Sequence, residues 1–160
     1  MKTSTISMLV IGALGAMFAL PSSAPLKPKG IRNNNPLNIE ARESWVGQIG
    51  DDGRFIIFET AKHGFRAAGR IMRTKASRGV RTIESIINEW APPKNDDGEY
   101  ENHTTNYINF VSDKTNIAAD KTLSDLEYPA VISAMVQMEN GQNPYTFDEI
   151  KSGFEWGYYG

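Results

Sequence analysis

Between Thr3 and Ala24 the chain carries no charge for 22 residues, and from Ile6 to Leu20 it reads ISMLVIGALGAMFAL. At about 1.5 Å per helical residue, such a stretch reaches across a hydrocarbon core of about 30 Å. No other segment limits the fold so strongly, and three readings are open for it: a membrane anchor, a secretory signal, or a buried N-terminal helix. Lys2 is the only charge before Lys27, which suits the basic start of a signal peptide. Pro21-Ser22-Ser23-Ala24 supplies small residues like those of a cleavage site, but Pro25 directly after them opposes cleavage. Gly12, Ala13, Gly15, Ala16 and Ala19 dilute the larger apolar residues. Residues 1–24 are therefore expected to be a transmembrane anchor or signal segment. Both options put the remainder on a membrane surface or outside a bacterial cytoplasm. Residues 25–30, with Pro25, Pro28 and Gly30, read as a linker that is not helical throughout.

Residues 31–160 are enough for one domain. Seventeen basic and nineteen acidic residues give a net charge of -2, which offers no electrostatic footprint for nucleic acid. Cysteine is absent, excluding disulfides, thiolate zinc sites and cysteine nucleophiles. Two histidines, His63 and His103, without H-E-x-x-H spacing, make a metal centre an unsuitable reading, and no cofactor is expected. No nucleophile-elbow motif supports Ser/His/Asp chemistry.

The hydrophobic pattern predicts a mainly helical fold with one small β-hairpin. WVGQIGDDGRFIIF, residues 45–58, is two short apolar runs around Asp52-Gly53, a hairpin signal. Thr60 is placed to cap a helix running to about Lys75, with Phe65, Ala68 and Met72 on one face. Thr82 opens a second helix whose Ile83, Ile86, Ile87 and Trp90 fall at i, i+3, i+4, i+7, and Pro92-Pro93 ends it. A third is expected over about 104–112, burying Tyr107, Ile108 and Val111. A fourth runs from Pro129 to Glu139 and stops at Gly141. A short last helix starts at Thr146, where Glu149 completes a capping box.

Three clusters exceed what packing needs. GIRNNNPLNIEA, residues 30–41, holds Asn33, Asn34, Asn35 and Asn38, poor helix and strand formers. Such a loop can bond its own backbone, or present amides, both donor and acceptor, to sugar hydroxyls and acetamido groups. EWAPPKNDDGEYENHTTNY, residues 89–107, has Glu101 just before a helix start, either as a charge complementing the dipole or as a carboxylate lining a cleft. MVQMENGQNPY, residues 135–145, ends an apolar helix on Glu139. A negative charge there costs roughly 0.3–1 kcal/mol. Burial and helix carbonyl ends favour the neutral form of a carboxyl group, the form a glycoside-cleaving acid needs.

GIRNNNPLNI, W-x-G, D-G-x-F-x-x-F, G-F-R-A, W-A-P-P, E-N-x-T-x-x-Y and E-N-G-x-x-P-Y together span residues 30–145. In this succession the chain resembles phage-encoded virion structural proteins associated with peptidoglycan degradation. The size, the apolar N-terminus and the Asn motif further resemble membrane-associated virion proteins of tailless, membrane-containing marine phages (corticoviruses). A weaker similarity is to lysozyme-like glucosaminidases and lytic transglycosylases. There an acid Glu ends a core helix, and an Asn-rich segment, a Trp-x-Gly and an aromatic hairpin come after it. Here Asn34, Asn35, Leu37 and Ile39 precede Trp45, Gly47, Phe55 and Phe58 in that order, but the Glu helix comes at the far end of the chain. A circularly permuted lysozyme-like domain behind the N-terminal segment accounts for both facts.

The resemblance implies cleavage of peptidoglycan glycan strands, with Glu139 as acid and Glu101 as the second carboxylate. Asn34, Asn35, Asn38 and Tyr145 then orient the glycan. One carboxylate suffices for a lytic transglycosylase, whereas a hydrolase uses two. Implied partners are peptidoglycan, a membrane through residues 3–24 and other virion proteins. The implied location is the virion membrane or the host envelope. The competing reading is a non-catalytic virion membrane protein that binds peptidoglycan or other virion proteins.

Overall fold

A computed structural model describes residues 26–93 and 103–160. The expected membrane segment and Glu101 lie outside the described residues. Among those described, no helix is long and apolar enough to cross a membrane.

The elements are α1 (Lys29–Arg32), β1 (Gln48–Asp51), β2 (Ile56–Phe58), α2 (Ala61–Ser77), α3 (Ile83–Trp90), α4 (His103–Thr115), α5 (Tyr128–Asn140) and α6 (Phe147–Tyr158). The architecture is mainly helical with one two-stranded antiparallel sheet, as the pattern predicts. β1 pairs with β2 in the register Gln48↔Phe58, Gly50↔Ile57 and Asp51↔Ile56, with a bulge between Gln48 and Gly50. Gly53, at φ 95°, provides the left-handed step of the turn.

Each helix forms where its apolar period and caps agree. α3 carries a full capping box, Thr82 accepting from the Ser85 amide while Ser85 accepts from that of Thr82. Its Ile83, Ile86 and Ile87 are completely buried, each contributing about 1.5–3 kcal/mol of transfer free energy. α5 starts with proline in its first turn, buries Val131, Ile132, Met135 and Val136, and ends at Gly141 in the left-handed region, φ 67°. Thr146 and Glu149 form the predicted capping box of α6.

Four local expectations need correction. Lys29 and Gly30, read as linker, form α1 with Ile31 and Arg32, and Gly30 is buried. Thr60 stands at the N-cap of α2, but its side chain makes no cap bond; Oγ1 pairs instead with His63 Nδ1 at 2.9 Å. Ile108 is only half-buried, because α4 turns Tyr107 and Val111 fully inward. The last helix is not short. It runs twelve residues and lies along α2 through glycines. A Cβ on Gly157 would sit 1.9 Å from the Arg66 carbonyl oxygen, and one on Gly69 would sit 2.2 Å from that of Phe154. This contact brings Phe154 and Tyr158 into a stack with Tyr128, with ring centroids 5.1–5.7 Å apart.

Candidate active site around Glu139

The Asn-rich loop is held chiefly by its own amides. Asn35 is completely buried; its Nδ2 donates to the Ile39 and Ile56 carbonyls, and its Oδ1 accepts from the Ile39 amide. Asn34, at φ 51°, donates to the Phe58 and Glu59 carbonyls. Asn33 donates to Asp52 at 2.8 Å. The Phe55 amide and Asn33 hold that Asp52 carboxyl well below the usual carboxylate range. These three side chains bracket the loop to the hairpin and leave Asn38 pointing elsewhere.

Asn38, also at φ 51°, donates from Nδ2 to Glu139 Oε2 at 3.0 Å. Two further donors meet the other oxygen. Trp90 Nε1, from the end of α3, is 3.2 Å from Glu139 Oε1, and the Tyr107 hydroxyl, from α4, is 2.9 Å from it. The hydroxyl of Thr104 donates to the Ala91 carbonyl at 2.6 Å and ties the start of α4 to the end of α3. Burial, with the Glu139 charge behind it, pushes the Tyr107 phenol well above its ordinary range, so it stays a donor. Next to Glu139, Asn140 donates to the Pro36 and Val136 carbonyls and so stitches the end of α5 to the Asn loop. Gly30 fits beneath, where a Cβ would lie 2.5 Å from Asn140 Oδ1 and 2.8 Å from Asn38 Oδ1.

Glu139 opens on a cavity of about 720 Å³ shared with Asn38, Trp45, Phe55, Ile71 and Trp90. Charged pairs flank it. On one side burial raises the Glu40 carboxyl, but the hydrogen bonds and charges of Arg42 and Arg54 outweigh burial and hold it below its usual range. On the other, the largely buried Lys75 meets Glu89 at 2.5 Å, and with Arg78 it lowers the Glu89 carboxyl. Aromatic walls around carboxylates and a lysine suit a ligand with apolar faces and polar edges.

Of the residues singled out in the sequence, Asn38 and Glu139 are brought together. Asn34 and Asn35 lie behind them with their amides engaged on backbone. Tyr145 packs edge-on against Phe65 at 5.1 Å and does not line the cavity. Trp90 and Tyr107 emerge as partners of Glu139. Their sequence signal was a place on an apolar helix face, which is equally the signal for packing. Among the described residues no group of three His, Cys, Asp or Glu is placed to hold a metal ion.

No protein-family model matches the chain. Across an alignment of 168 residues covering the whole of both chains, it is 49 % identical to Protein P5 of Pseudoalteromonas phage PM2. The chain belongs to the Protein P5 family. The expectation of a phage-encoded family is met.

Proposed function

We propose that the chain is a phage virion protein whose lysozyme-like domain cleaves the glycan strands of bacterial peptidoglycan, with Glu139 as the proton-transferring group. The observation that carries this reading is one carboxylate at a helix end, fixed by Asn38, Trp90 and Tyr107 and open to a cavity of about 720 Å³. Oε1 takes two donors and Oε2 one, so Oε2 keeps a free lone pair to exchange a proton with a glycosidic oxygen. A positioned acid of this kind is worth about 10²–10⁴-fold in rate. A permuted lysozyme-like arrangement is supported by the joining of the Glu139 helix end to the Asn loop and hairpin. The bonds from Asn38 to Glu139 and from Asn140 to Pro36 close that junction.

The non-catalytic reading has one observation in its favour. The amides of Asn34 and Asn35, the groups expected to grip a glycan, are engaged on backbone carbonyls. The full chain in detergent, incubated with isolated Gram-negative peptidoglycan, separates the two. Soluble muropeptides read by mass spectrometry are expected from the parent and not from Glu139→Gln. Anhydro-sugar ends assign a transglycosylase, and reducing ends assign a hydrolase. A folded parent that releases nothing refutes the enzyme.

A further inference from the structure

The Asn38 amide is bonded at one end only. Nδ2 donates to Glu139 Oε2, while Oδ1 is buried and meets no donor among the described residues. Oδ1 of Asn140 is buried and without a donor in the same way. Both oxygens converge on Gly30, where one Cβ would lie 2.8 Å from the first and 2.5 Å from the second. Two buried amide oxygens without donors are unfavourable, since each has given up water and gained no partner.

Asn140 cannot relieve this, because its Nδ2 is committed to the Pro36 and Val136 carbonyls and fixes the orientation of the amide. Asn38 can. A half-turn about its last side-chain bond exchanges nitrogen for oxygen, bringing an N–H to the Asn140 side and a carbonyl oxygen before Glu139. Gly30 sits in helical α1 with no positive φ, so its use there is space rather than backbone freedom: a Cβ would obstruct the turning amide.

The charge on Glu139 holds the amide in its present sense. A carboxylate only accepts, whereas a protonated carboxyl group also donates. Oε1 already takes Trp90 and Tyr107, so an added proton belongs on Oε2, opposite Asn38. The neighbouring charges are engaged with one another: Glu40 with Arg42 and Arg54, Glu89 with Lys75, and Lys29 of α1 with Asp52. Glu43 and His103 line the cavity with no hydrogen bond to Asn38 or Glu139 among the described residues.

We propose that Asn38 follows the proton on Glu139. It donates from Nδ2 to the carboxylate; when Oε2 carries a proton, the amide turns over, Oδ1 accepts from Oε2–H and Nδ2 serves Asn140 Oδ1. The inference rests on the reading of Glu139 as a group that exchanges a proton. In that reaction the proton leaves Oε2 for the glycosidic oxygen and the amide swings back. The attacking water or sugar hydroxyl then returns a proton to Oε2, and the amide turns again. Asn38 is thus a positioning residue that serves both protonation states through Glu139.

The test reads the amide directly, by nuclear magnetic resonance on the full chain in detergent with labelled Asn and Gly. With Glu139 ionised, no through-space contact is expected between the Asn38 amide protons and the Gly30 α-protons. In Glu139→Gln the new carbonyl is held by Trp90 and Tyr107, so its NH₂ faces Asn38 as the acid would. A strong contact is expected there at every pH. In the parent the contact is expected to appear on acidification, in step with the carboxyl carbon signal of Glu139, an arm that needs no variant to fold. A contact absent from both the folded variant and the acidified parent overturns the proposal, as does one equally strong in the parent at neutral pH. Muropeptide release is measured on the same samples. Contact without release refutes the enzyme and supports the turning amide; release without contact does the reverse.

Discussion

Asn38 donates to Glu139 across 101 positions of sequence, at 3.0 Å, from a backbone held at φ 51°. Left-handed backbone costs most residues about 1–2 kcal/mol and glycine almost nothing. Asn38→Gly therefore removes the amide alone, whereas Asn38→Ala removes the amide and adds strain. Both are expected to lower muropeptide release by up to about tenfold, the equivalent of one hydrogen bond at about 0.5–1.5 kcal/mol. Only Asn38→Ala is expected to lower the melting temperature appreciably as well. Equal release by Asn38→Gly and the parent would remove Asn38 from the site.

Tyr107 is tested by its alkaline signature. Its phenol is held well above the ordinary range, by burial first and then by Glu139. Below about pH 10 the phenol is neutral in the folded and unfolded chains alike. Above it the unfolded chain releases a proton that the folded chain retains, so stability falls as pH rises. Tyr107→Phe is expected to show a shallower alkaline decline of melting temperature. The remaining slope belongs to Tyr128, Tyr145 and Tyr158, whose phenols burial also raises. At neutral pH the same change leaves Glu139 Oε1 to Trp90 alone and is expected to reduce turnover. An unaltered alkaline slope would contradict the buried phenol.

The helices were legible because periodicity and caps are local. Ile83, Ile86 and Ile87, or Thr146 with Glu149, announce their elements within a few residues. Glu139 was legible for a similar reason, since a charge at the unfavourable end of an apolar helix stands out. Its partners were not. Trp90 and Tyr107 sit on α3 and α4, and only tertiary packing directs an indole N–H and a phenol to one carboxylate oxygen. Asn34 and Asn35 misled in the opposite direction. An exposed amide and one turned inward to bind backbone look identical in sequence, and here the carbonyls of Ile56, Phe58 and Glu59, on and just after β2, with that of Ile39, take both. The length of α6 is not local information: Gly153 and Gly157, poor helix formers by propensity, are the positions that let it touch α2.

That contact makes a sharp prediction about Gly157. In an isolated helix alanine is favoured over glycine by about 1 kcal/mol. In this fold a Cβ at Gly157 meets the Arg66 carbonyl oxygen at 1.9 Å, and backbone cannot step aside as a flexible side chain would. Gly157→Ala is expected to destabilise by about 1–3 kcal/mol in urea unfolding, in the manner of an overpacked core. A stabilised variant would mean that α2 and α6 do not touch at this glycine.

Acid sensitivity is expected to begin at the entrance to α5. Glu127 accepts from the amide and hydroxyl of Ser124 and pairs with Lys121, and these contacts hold its carboxyl at about 2 rather than the ordinary 4.5. A lowered carboxyl stabilises the fold above the unfolded value, and that contribution is lost as pH falls through the folded one. The window is therefore from about pH 4.5 down to about pH 2, and Glu89 and Glu40, also lowered, add to it. Glu127→Gln cannot lose a charge on acidification. It is expected to melt lower than the parent at pH 7, because Lys121 loses its partner, and to decline less between pH 4.5 and pH 2. Thermal melts monitored by circular dichroism across that range check both halves. Parallel curves for variant and parent would show that the turn before α5 does not depend on the Glu127 charge.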